Sequence, residues 1–244
     1  MLGPEQVDDY AARGFITVPA LFTAAELAPV EEYLVRNQEV TWSDKNDDPL
    51  REAHYHHRPI YDVCTMPKLL DCVEALLGPD LVLLYSHILN KPPGGLQVAW
   101  HQDGPYWWRV EPKVAVTAWV ALDDATGENG CMRVIPGTHR GNLDLGQRPV
   151  EEPDLIQARP FEVPPGVFDE SCAVDLLMRR GDVSFHHSYL VHGSDPNRSG
   201  ARRAALTIRY VTSATRIQNT PDRRQYLVRG TGLDNGNVYF QIGT

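Results

Sequence analysis

The hydrophobic pattern of the chain changes near residue 80. Before that point, apolar residues recur at the three- and four-residue spacing of amphipathic helices. Thr23 and Glu26 form a capping box that opens one of these helices. The predicted helices cover residues 4–13, 23 to about 38, and 67–77. Residues 1–80 are therefore expected to be mostly helical, with a short strand at 15–18 and a polar loop over residues 40–62.

After residue 79 the chain consists of short runs rich in β-branched and aromatic residues, separated by turns that contain Gly and Pro. The predicted strands are residues 81–89, 97–101, 114–122, 131–135, 182–187 and 204–212. Many short strands in one domain are typical of a sandwich or a barrel-like jelly roll. We expect a single domain over residues 1–244, with its β core over residues 81–212. Residues 141–175 are rich in Pro and acidic residues and, with residues 40–62, are candidate lid loops.

The composition is that of a protein with a sizeable core. The chain has 244 residues, 42% of them hydrophobic, and a formal net charge of −9. That charge argues against nucleic-acid binding, which favours a basic excess. No apolar run approaches the ~20 residues that span a bilayer. The N-terminal residues lack a signal-peptide pattern, and the four cysteines show no CxxC spacing. We therefore expect a cytoplasmic protein with reduced thiols, present as a monomer or homodimer.

The motif Trp100-His101-Gln102-Asp103-Gly104 carries the strongest chemical signal. Alternate residues of a strand point to the same face, so His101 and Asp103 would present an imidazole and a carboxylate to one metal ion. A second histidine would complete a set of two His and one carboxylate. That set leaves coordination positions open and suits non-haem Fe(II) oxygen chemistry. The pair alone is also common as a hydrogen-bonded pair on a strand, so the interpretation depends on further residues.

Histidines and arginines downstream supply these further residues. His186, His187 and His192 lie close together in the sequence, and His192 precedes a Gly-Ser pair that leaves room around a ligand. A strand-like run after them begins with Arg202 and Arg203. An arginine buried on a barrel strand is costly without an anion, and a carboxylate would pair with it bidentately. A metal ion beside such an arginine would bind 2-oxoglutarate, whose keto-acid end chelates iron and whose far carboxylate pairs with the arginine.

With these motifs the chain resembles the phytanoyl-CoA dioxygenase family of Fe(II)/2-oxoglutarate-dependent oxygenases. The resemblance covers most of residues 5–212. Besides the motif around His101, the matching segments are Trp119–Asp124, Glu128–Met132, Ile135–Arg140, Gly181–Asp182 and His192–Ser194. As a set these motifs are highly specific, although each is modest alone. The resemblance implies a mainly β double-stranded β-helix, the jelly roll of cupin-like proteins, with flanking helices.

The resemblance also implies roles for individual residues. The family's iron ligands fall on His101, Asp103 and His192. In the family, an arginine on the strand after the distal His binds the distal carboxylate of 2-oxoglutarate. Arg202 and Arg203 both fit, and Arg202 is preferred because the family's arginine is often followed by a basic residue and Ala. Ser194 fits a position that hydrogen-bonds the same carboxylate. Candidates for lining the cosubstrate pocket are Trp119, Gln97 and Asn90.

The carboxylate ligand bears on the reaction. Halogenating relatives have a small residue in its place, whereas this chain has Asp103. The resemblance therefore implies hydroxylation, or a related oxidation at a C–H bond, of a small organic molecule in specialised metabolism. O2 would be consumed, and succinate and CO2 released. The candidates for substrate contacts come from the aromatic run after the motif and from the polar loop: Trp107, Trp108 and His56.

Three alternatives keep part of this chemistry. An acyl-CoA hydroxylase, as the family name suggests, would need a cluster of Lys and Arg for the CoA phosphates, and the sequence shows no clear phosphate-binding loop. A non-catalytic metal-binding jelly roll is disfavoured by the complete triad and by the arginine strand. A zinc hydrolase with the same ligands would need a general base near the metal-bound water, and the sequence identifies none.

Overall fold

The α-helices lie in the first third of the chain, and the longer regular elements after them are strands. The computed structural model describes residues 2–37, 48–107, 109–150, 161–218, 220 and 223–240. The helices are α1 (Pro4–Arg13), α2 (Ala24–Arg36), α3 (Arg58–Cys64) and α4 (Pro67–Leu77). The strands are β1 (Phe15–Val18), β2 (Leu81–Lys91), β3 (Val98–His101), β4 (Val110–Glu111), β5 (Val116–Ala121), β6 (Met132–Ile135), β7 (Arg148–Pro149), β8 (Phe161–Glu162), β9 (Val174–Asp175), β10 (Val183–His187), β11 (Val191–Ser194), β12 (Arg203–Thr212), β13 (Arg216–Ile217) and β14 (Tyr226–Arg229).

Two antiparallel sheets form the body of the fold. The larger sheet has the strand order β1-β10-β5-β12-β2-β14, and the smaller has the order β3-β11-β6-β9. Neighbouring strands come from distant parts of the chain, as in a jelly roll. Strand β12 pairs with β2 on one edge and with β5 on the other. The register between β12 and β2 shifts after Arg209, where Leu84 has no counterpart on β12.

The helices cover the outer face of the larger sheet. Apolar side chains of α2, α3 and α4 share one buried cluster with even-numbered residues of β12, among them Leu206 and Ile208. Tyr210 belongs to the same face, and its O–H donates to the backbone carbonyl of Cys64. Because side chains alternate along a strand, the odd-numbered residues of β12 point between the two sheets. One strand therefore carries an apolar face toward the helices and a polar face toward the interior.

The interior between the sheets is apolar only in part. Phe15, Trp119, Met132, Leu190 and Ala205 belong to a buried cluster there. The remaining space is a cavity whose walls carry charged and polar side chains.

The predicted elements agree with the structure over most of their length. Helices α1 and α4 and strand β1 have the predicted bounds, and each long predicted strand is present within two residues of its expected ends. The loop expected over residues 40–62 is wrong at its end, because Ala53–Tyr55 forms a 3-10 turn and α3 begins at Arg58. Residues 38–47, with the predicted end of α2 near Gln38, lie outside the described residues. Described parts of 141–175 contain β7, β8 and β9, and their action as a lid stays a prediction.

The helical cover is expected to contribute strongly to stability. Leu27 of α2 is fully buried, whereas Val35 of the same helix is 55% exposed. We expect Leu27→Ala to lower the free energy of unfolding by about 2–5 kcal/mol, because it removes buried contacts and leaves a cavity. Val35→Ala should change it by less than about 0.5 kcal/mol. Urea denaturation of the two variants checks this, and equal losses would contradict the assigned packing.

Candidate active site

The cavity between the sheets contains most of the residues on which the chemistry would depend. It holds about 580 Å³ of empty space, including open solvent at its mouth. Lys91 and Arg203 line one end, and Thr207 and Arg209 line the other. Because Arg203 and Arg209 are six residues apart on one strand, these ends are separated by about 20 Å of β12 backbone.

The structure brings His101, Asp103 and His192 together in the middle of this cavity. His101 ends β3, Asp103 follows two residues later, and His192 lies opposite His101 in the register of β3 and β11. The imidazole rings of the two histidines have centroids 4.1 Å apart. One ligating atom from each of the three residues lies within 4.8 Å of the others, and all three side chains are buried. Two imidazole nitrogens and one carboxylate in this arrangement form a facial triad that suits a divalent transition metal.

Backbone carbonyls orient both histidines for metal binding. Nδ1 of His101 lies 2.8 Å from the carbonyl oxygen of Ala99, and Nδ1 of His192 lies 2.9 Å from that of Leu190. A carbonyl only accepts hydrogen bonds, so each Nδ1 carries the proton and donates it. Each Nε2 is therefore a lone-pair donor, the form in which histidine binds metal ions. The Nε2 atoms of His101 and His192, together with the carboxylate of Asp103, therefore form a donor set that fits Fe(II).

Asp103 also faces polar groups on the larger sheet. Its Oδ2 lies 3.4 Å from Nη2 of Arg209, 3.4 Å from Oγ1 of Thr117 and 4.0 Å from Nε2 of His186. Burial holds the pKa of His186 well below its usual range, and the neighbouring His192 lowers it further. His186 is therefore a neutral imidazole beside the triad, and the positive charge facing Asp103 comes from Arg209.

The first end of the cavity concentrates cationic side chains. Nζ of Lys91 donates to Oγ of Ser194 and to the carbonyl of Asp195, each at 2.6 Å. The Arg203 guanidinium donates from Nε to the carbonyl of Gly130 at 3.2 Å. Burial, and then repulsion by Arg203, lowers the pKa of Lys91 to about 6. Burial also lowers the pKa of Arg203 to about 10. A buried guanidinium beside a buried amine, neither of them ion-paired with a carboxylate among the described residues, forms a ready site for an anion.

The structure corrects the preference for Arg202 as the anchor. Arg202 precedes β12, and its Nε and Nη2 each donate to a carboxylate oxygen of Asp123 at 2.8 Å. Arg203 is 4% exposed, lines the cavity and lies with its guanidinium carbon 5.6 Å from the centroid of the Trp119 ring. The reason is that side chains alternate along the strand. Even-numbered residues of β12, such as Tyr210, face the helices, and Arg202 is even-numbered. Odd-numbered residues, such as Arg203 and Arg209, face the cavity.

The other predicted residues divide into two groups. Those that line the cavity are Ser194, Trp119 and Asn90. Gln97 does not line it, because it lies in the connection before β3. His56 is exposed. Trp107 packs in a separate apolar cluster under the larger sheet's edge, and Trp108 lies outside the described residues.

Lys91 and Arg209 are cavity residues that the sequence interpretation did not select. A lysine at the end of an apolar strand, before Pro92-Pro93, is a signal that could have identified Lys91. Arg209 could have been found from its parity with Arg203 on a run of alternating residues. Both signals become clear only when the inward face of the strand is known.

A sequence profile described as Phytanoyl-CoA dioxygenase (PhyH) matches residues 10–205, which is more than half of the chain. The chain belongs to the phytanoyl-CoA dioxygenase family. Membership confirms the resemblance on which the sequence interpretation relied. The predicted cofactor and cosubstrates, Fe(II), 2-oxoglutarate and O2, are those of a dioxygenase of this family.

Relatives in this family differ in length and in the substrates for which they are named. Human peroxisomal phytanoyl-CoA dioxygenase is 29% identical over 182 residues, which cover 73% of this chain and 51% of the human protein. The chain thus spans about half the length of the mammalian relatives. A probable α-ketoglutarate-dependent hypophosphite dioxygenase of Stutzerimonas stutzeri is 27% identical, over 86% of this chain and 78% of that protein. A methylphosphonate hydroxylase of Gimesia maris is 28% identical, over 86% of this chain and 80% of that protein.

Solved structures of oxygenases share the fold. The apo form of the non-heme monooxygenase ThoJ is 29% identical, covers 93% of this chain and 84% of its own, and superimposes with a TM-score of 0.75. The epimerase SnoN, in complex with Fe3+, α-ketoglutarate and a nogalamycin compound, covers 98% and 95% with a TM-score of 0.71 at 22% identity. These likenesses confirm the predicted cupin-like jelly roll. Among the residues that the structure describes, no helix is both long enough and apolar enough to cross a bilayer.

Proposed function

We propose that this phytanoyl-CoA dioxygenase family member hydroxylates a C–H bond of a small organic molecule, using Fe(II), 2-oxoglutarate and O2 and releasing succinate and CO2. The observation that carries the proposal is one cavity that contains both a facial set of three metal ligands and, at one end, the basic side chains of Lys91 and Arg203. His101, Asp103 and His192 would hold the iron through one half-shell of ligands. When bound, iron with 2-oxoglutarate and O2 supplies the oxidising power for C–H cleavage.

The cationic end is proposed to anchor the distal carboxylate of 2-oxoglutarate. Arg203 would bind it bidentately, with Lys91 and Ser194 as further partners. Trp119 covers one side of the guanidinium and helps to exclude water. Gly193 lets β11 approach β3 closely beside His192, because a Cβ there would lie 2.8 Å from the carbonyl oxygen of Val98. These residues would bind and orient the cosubstrate.

Hydroxylation is favoured over halogenation because Asp103 supplies the carboxylate ligand. Another reaction at a C–H bond is the alternative to hydroxylation. SnoN, which shares the fold, is named an epimerase rather than a hydroxylase. Small substrates are favoured over acyl-CoA, because the relatives named for hypophosphite and methylphosphonate match 86% of this chain, against 73% for the human enzyme. A cytoplasmic location stays a prediction, and the human relative is named peroxisomal. Monomer or homodimer likewise stays a prediction.

An anaerobic titration tests the proposal most directly. Fe(II) followed by 2-oxoglutarate should give the weak visible charge-transfer band of the keto acid chelated to iron. Admission of O2 should then release succinate from 2-oxoglutarate, and a screen of small molecules should find compounds that accelerate it. Absence of the band in folded, iron-loaded protein would instead favour a non-catalytic binding module or a hydrolytic metal site.

The affinity for 2-oxoglutarate is expected to fall as the pH rises above about 6. Because burial lowers the pKa of Lys91 to about 6, its amine is neutral in the free protein at pH 8. A bound carboxylate favours the ammonium form and raises this pKa in the complex, so binding takes up a proton. We expect the Kd to increase by up to roughly tenfold per pH unit in this range.

Calorimetric titrations between pH 6 and 8, in buffers of different ionisation enthalpy, measure both the Kd and the proton uptake. Lys91→Met should show weaker binding near pH 6 and a flatter pH profile. An equally steep profile in Lys91→Met would contradict the role of Lys91.

A further inference from the structure

Arg209 occupies the end of the cavity away from the 2-oxoglutarate anchor, and its hydrogen bonding is incomplete. The side chain is 5% exposed and lines the cavity. Its Nη1 donates to Oγ1 of Thr207 at 3.1 Å, and its Nη2 lies 3.4 Å from Oδ2 of Asp103. Its buried Nε has no hydrogen-bond partner among the described residues. A buried guanidinium with an unused donor is costly unless a ligand completes its shell.

The surroundings of Arg209 are themselves cationic. The ring of Tyr85 lies opposite Arg209 in the strand register, and the guanidinium carbons of Arg209, Arg51 and Arg223 lie 5.0, 5.6 and 5.9 Å from its centroid. The described carboxylates nearby are Glu52, 2.6 Å from Arg223, and Asp48, 3.2 Å from His87. Three guanidiniums therefore lie around one aromatic ring, and of these three arginines Arg209 is the one that lines the cavity.

Asp103 would be a weaker partner for Arg209 when the site is loaded. Its carboxylate is one of the three groups that would hold the metal, so much of its charge would be directed to the iron. Dianionic 2-oxoglutarate would likewise balance the iron and the cations of the first end. Arg209 then faces the cavity with no anion of its own, next to the position where a substrate would lie.

We propose that Arg209 binds an oxyanion of the substrate, a carboxylate, phosphonate or phosphate group. The inference rests on the proposed function and names the substrate class for it. The planar guanidinium would use Nε and Nη2 as a two-donor fork, the geometry that matches such anions. The substrate's charged group would lie at the Arg209 end, and its remaining carbon atoms would extend toward the triad.

Methylphosphonate and its neutral dimethyl ester are suitable matched probes. Both are titrated anaerobically into protein loaded with Fe(II) and saturating 2-oxoglutarate, and binding is followed calorimetrically and by the shift of the charge-transfer band. We expect methylphosphonate to bind with the band retained and the ester to bind far more weakly. Arg209→Gln should weaken methylphosphonate binding roughly 10- to 100-fold. Arg209→Lys should restore part of it, and Arg216→Gln, on the exposed face of β13, should leave it unchanged.

Each other outcome is decisive. Equal methylphosphonate binding by wild type and Arg209→Gln, or no binding by wild type, would overturn the inference. Loss of the band on adding methylphosphonate would place the anion at the Arg203 end and would also overturn it. Loss of the band in both Arg209 variants before any probe is added would show that Arg209 only positions Asp103. Failure of wild type itself to form the band would count against the proposed function rather than against this assignment alone.

Discussion

His192→Ala is expected to lose the anaerobic charge-transfer band and at least roughly 10³-fold in 2-oxoglutarate turnover. The carbonyl of Leu190 presents Nε2 of His192 to the metal position, opposite His101. Removing a group that merely orients a ligand costs 10- to 100-fold in affinity or activity, so loss of the ligand itself should cost more. Asp103 and His101 alone would leave the iron weakly held and open to exchange with water.

A surface histidine provides the matched control for this prediction. His56→Ala removes an exposed imidazole outside the cavity and should retain the band at full intensity. Circular dichroism of both variants checks the fold, and a measurement of bound iron separates loss of metal from loss of cosubstrate. Full turnover by folded His192→Ala would refute the assignment of the triad.

Arg203→Gln is expected to raise the Kd for 2-oxoglutarate roughly 10²- to 10³-fold, whereas Arg202→Gln should leave it unchanged. Truncating one partner of a buried, hydrogen-bonded charge pair costs about 2–5 kcal/mol, and each 1.4 kcal/mol is a factor of ten. Arg203 is buried in the cavity, and Arg202 pairs with Asp123 outside it. Breaking that half-exposed pair should cost at most about 1 kcal/mol of stability.

The comparison is informative because the two arginines are adjacent in sequence. Anaerobic titration of the charge-transfer band with 2-oxoglutarate gives both Kd values under identical conditions. Larger weakening in Arg202→Gln than in Arg203→Gln would reverse the assignment and restore the preference drawn from the sequence.

Local sequence patterns predict the elements of this fold well where they are long and regular. A Pro in the first turn and a Gly stop bound α1 and α4, and runs of apolar residues identify β2 and β12. Helix α3 was missed because it is short and follows a cluster of histidines. Its first turn contains Pro59, and proline is typical of loops as well as of helix starts. Strand β11 was missed because His192, Gly193 and Ser194 have little β propensity and pair only in the tertiary structure.

The same distinction applies to the candidate site. The triad could be proposed from a motif and a resemblance, because two of its members lie two residues apart in the sequence. The expected strand geometry of that pair was wrong, since Asp103 lies beyond the end of β3 in a helical backbone conformation. Arg202 and Arg203 could not be separated, because the choice depends on which face of β12 meets the interior. Lys91 and Arg209 gain meaning only from the pairing of β12 with β2 and β5, which joins residues more than 80 positions apart.

The uninterrupted alternation of β12 between Arg203 and Arg209 also restricts how this scaffold can diverge in evolution. A one-residue insertion or deletion in that stretch would turn every later side chain to the opposite face. Arg209 would then point into the helical layer, and Tyr210 would enter the cavity. The cavity wall can therefore change through substitutions at Arg209 or Thr207 while the fold is kept, but not through a change in the length of β12. Indels should be confined to the connections between strands.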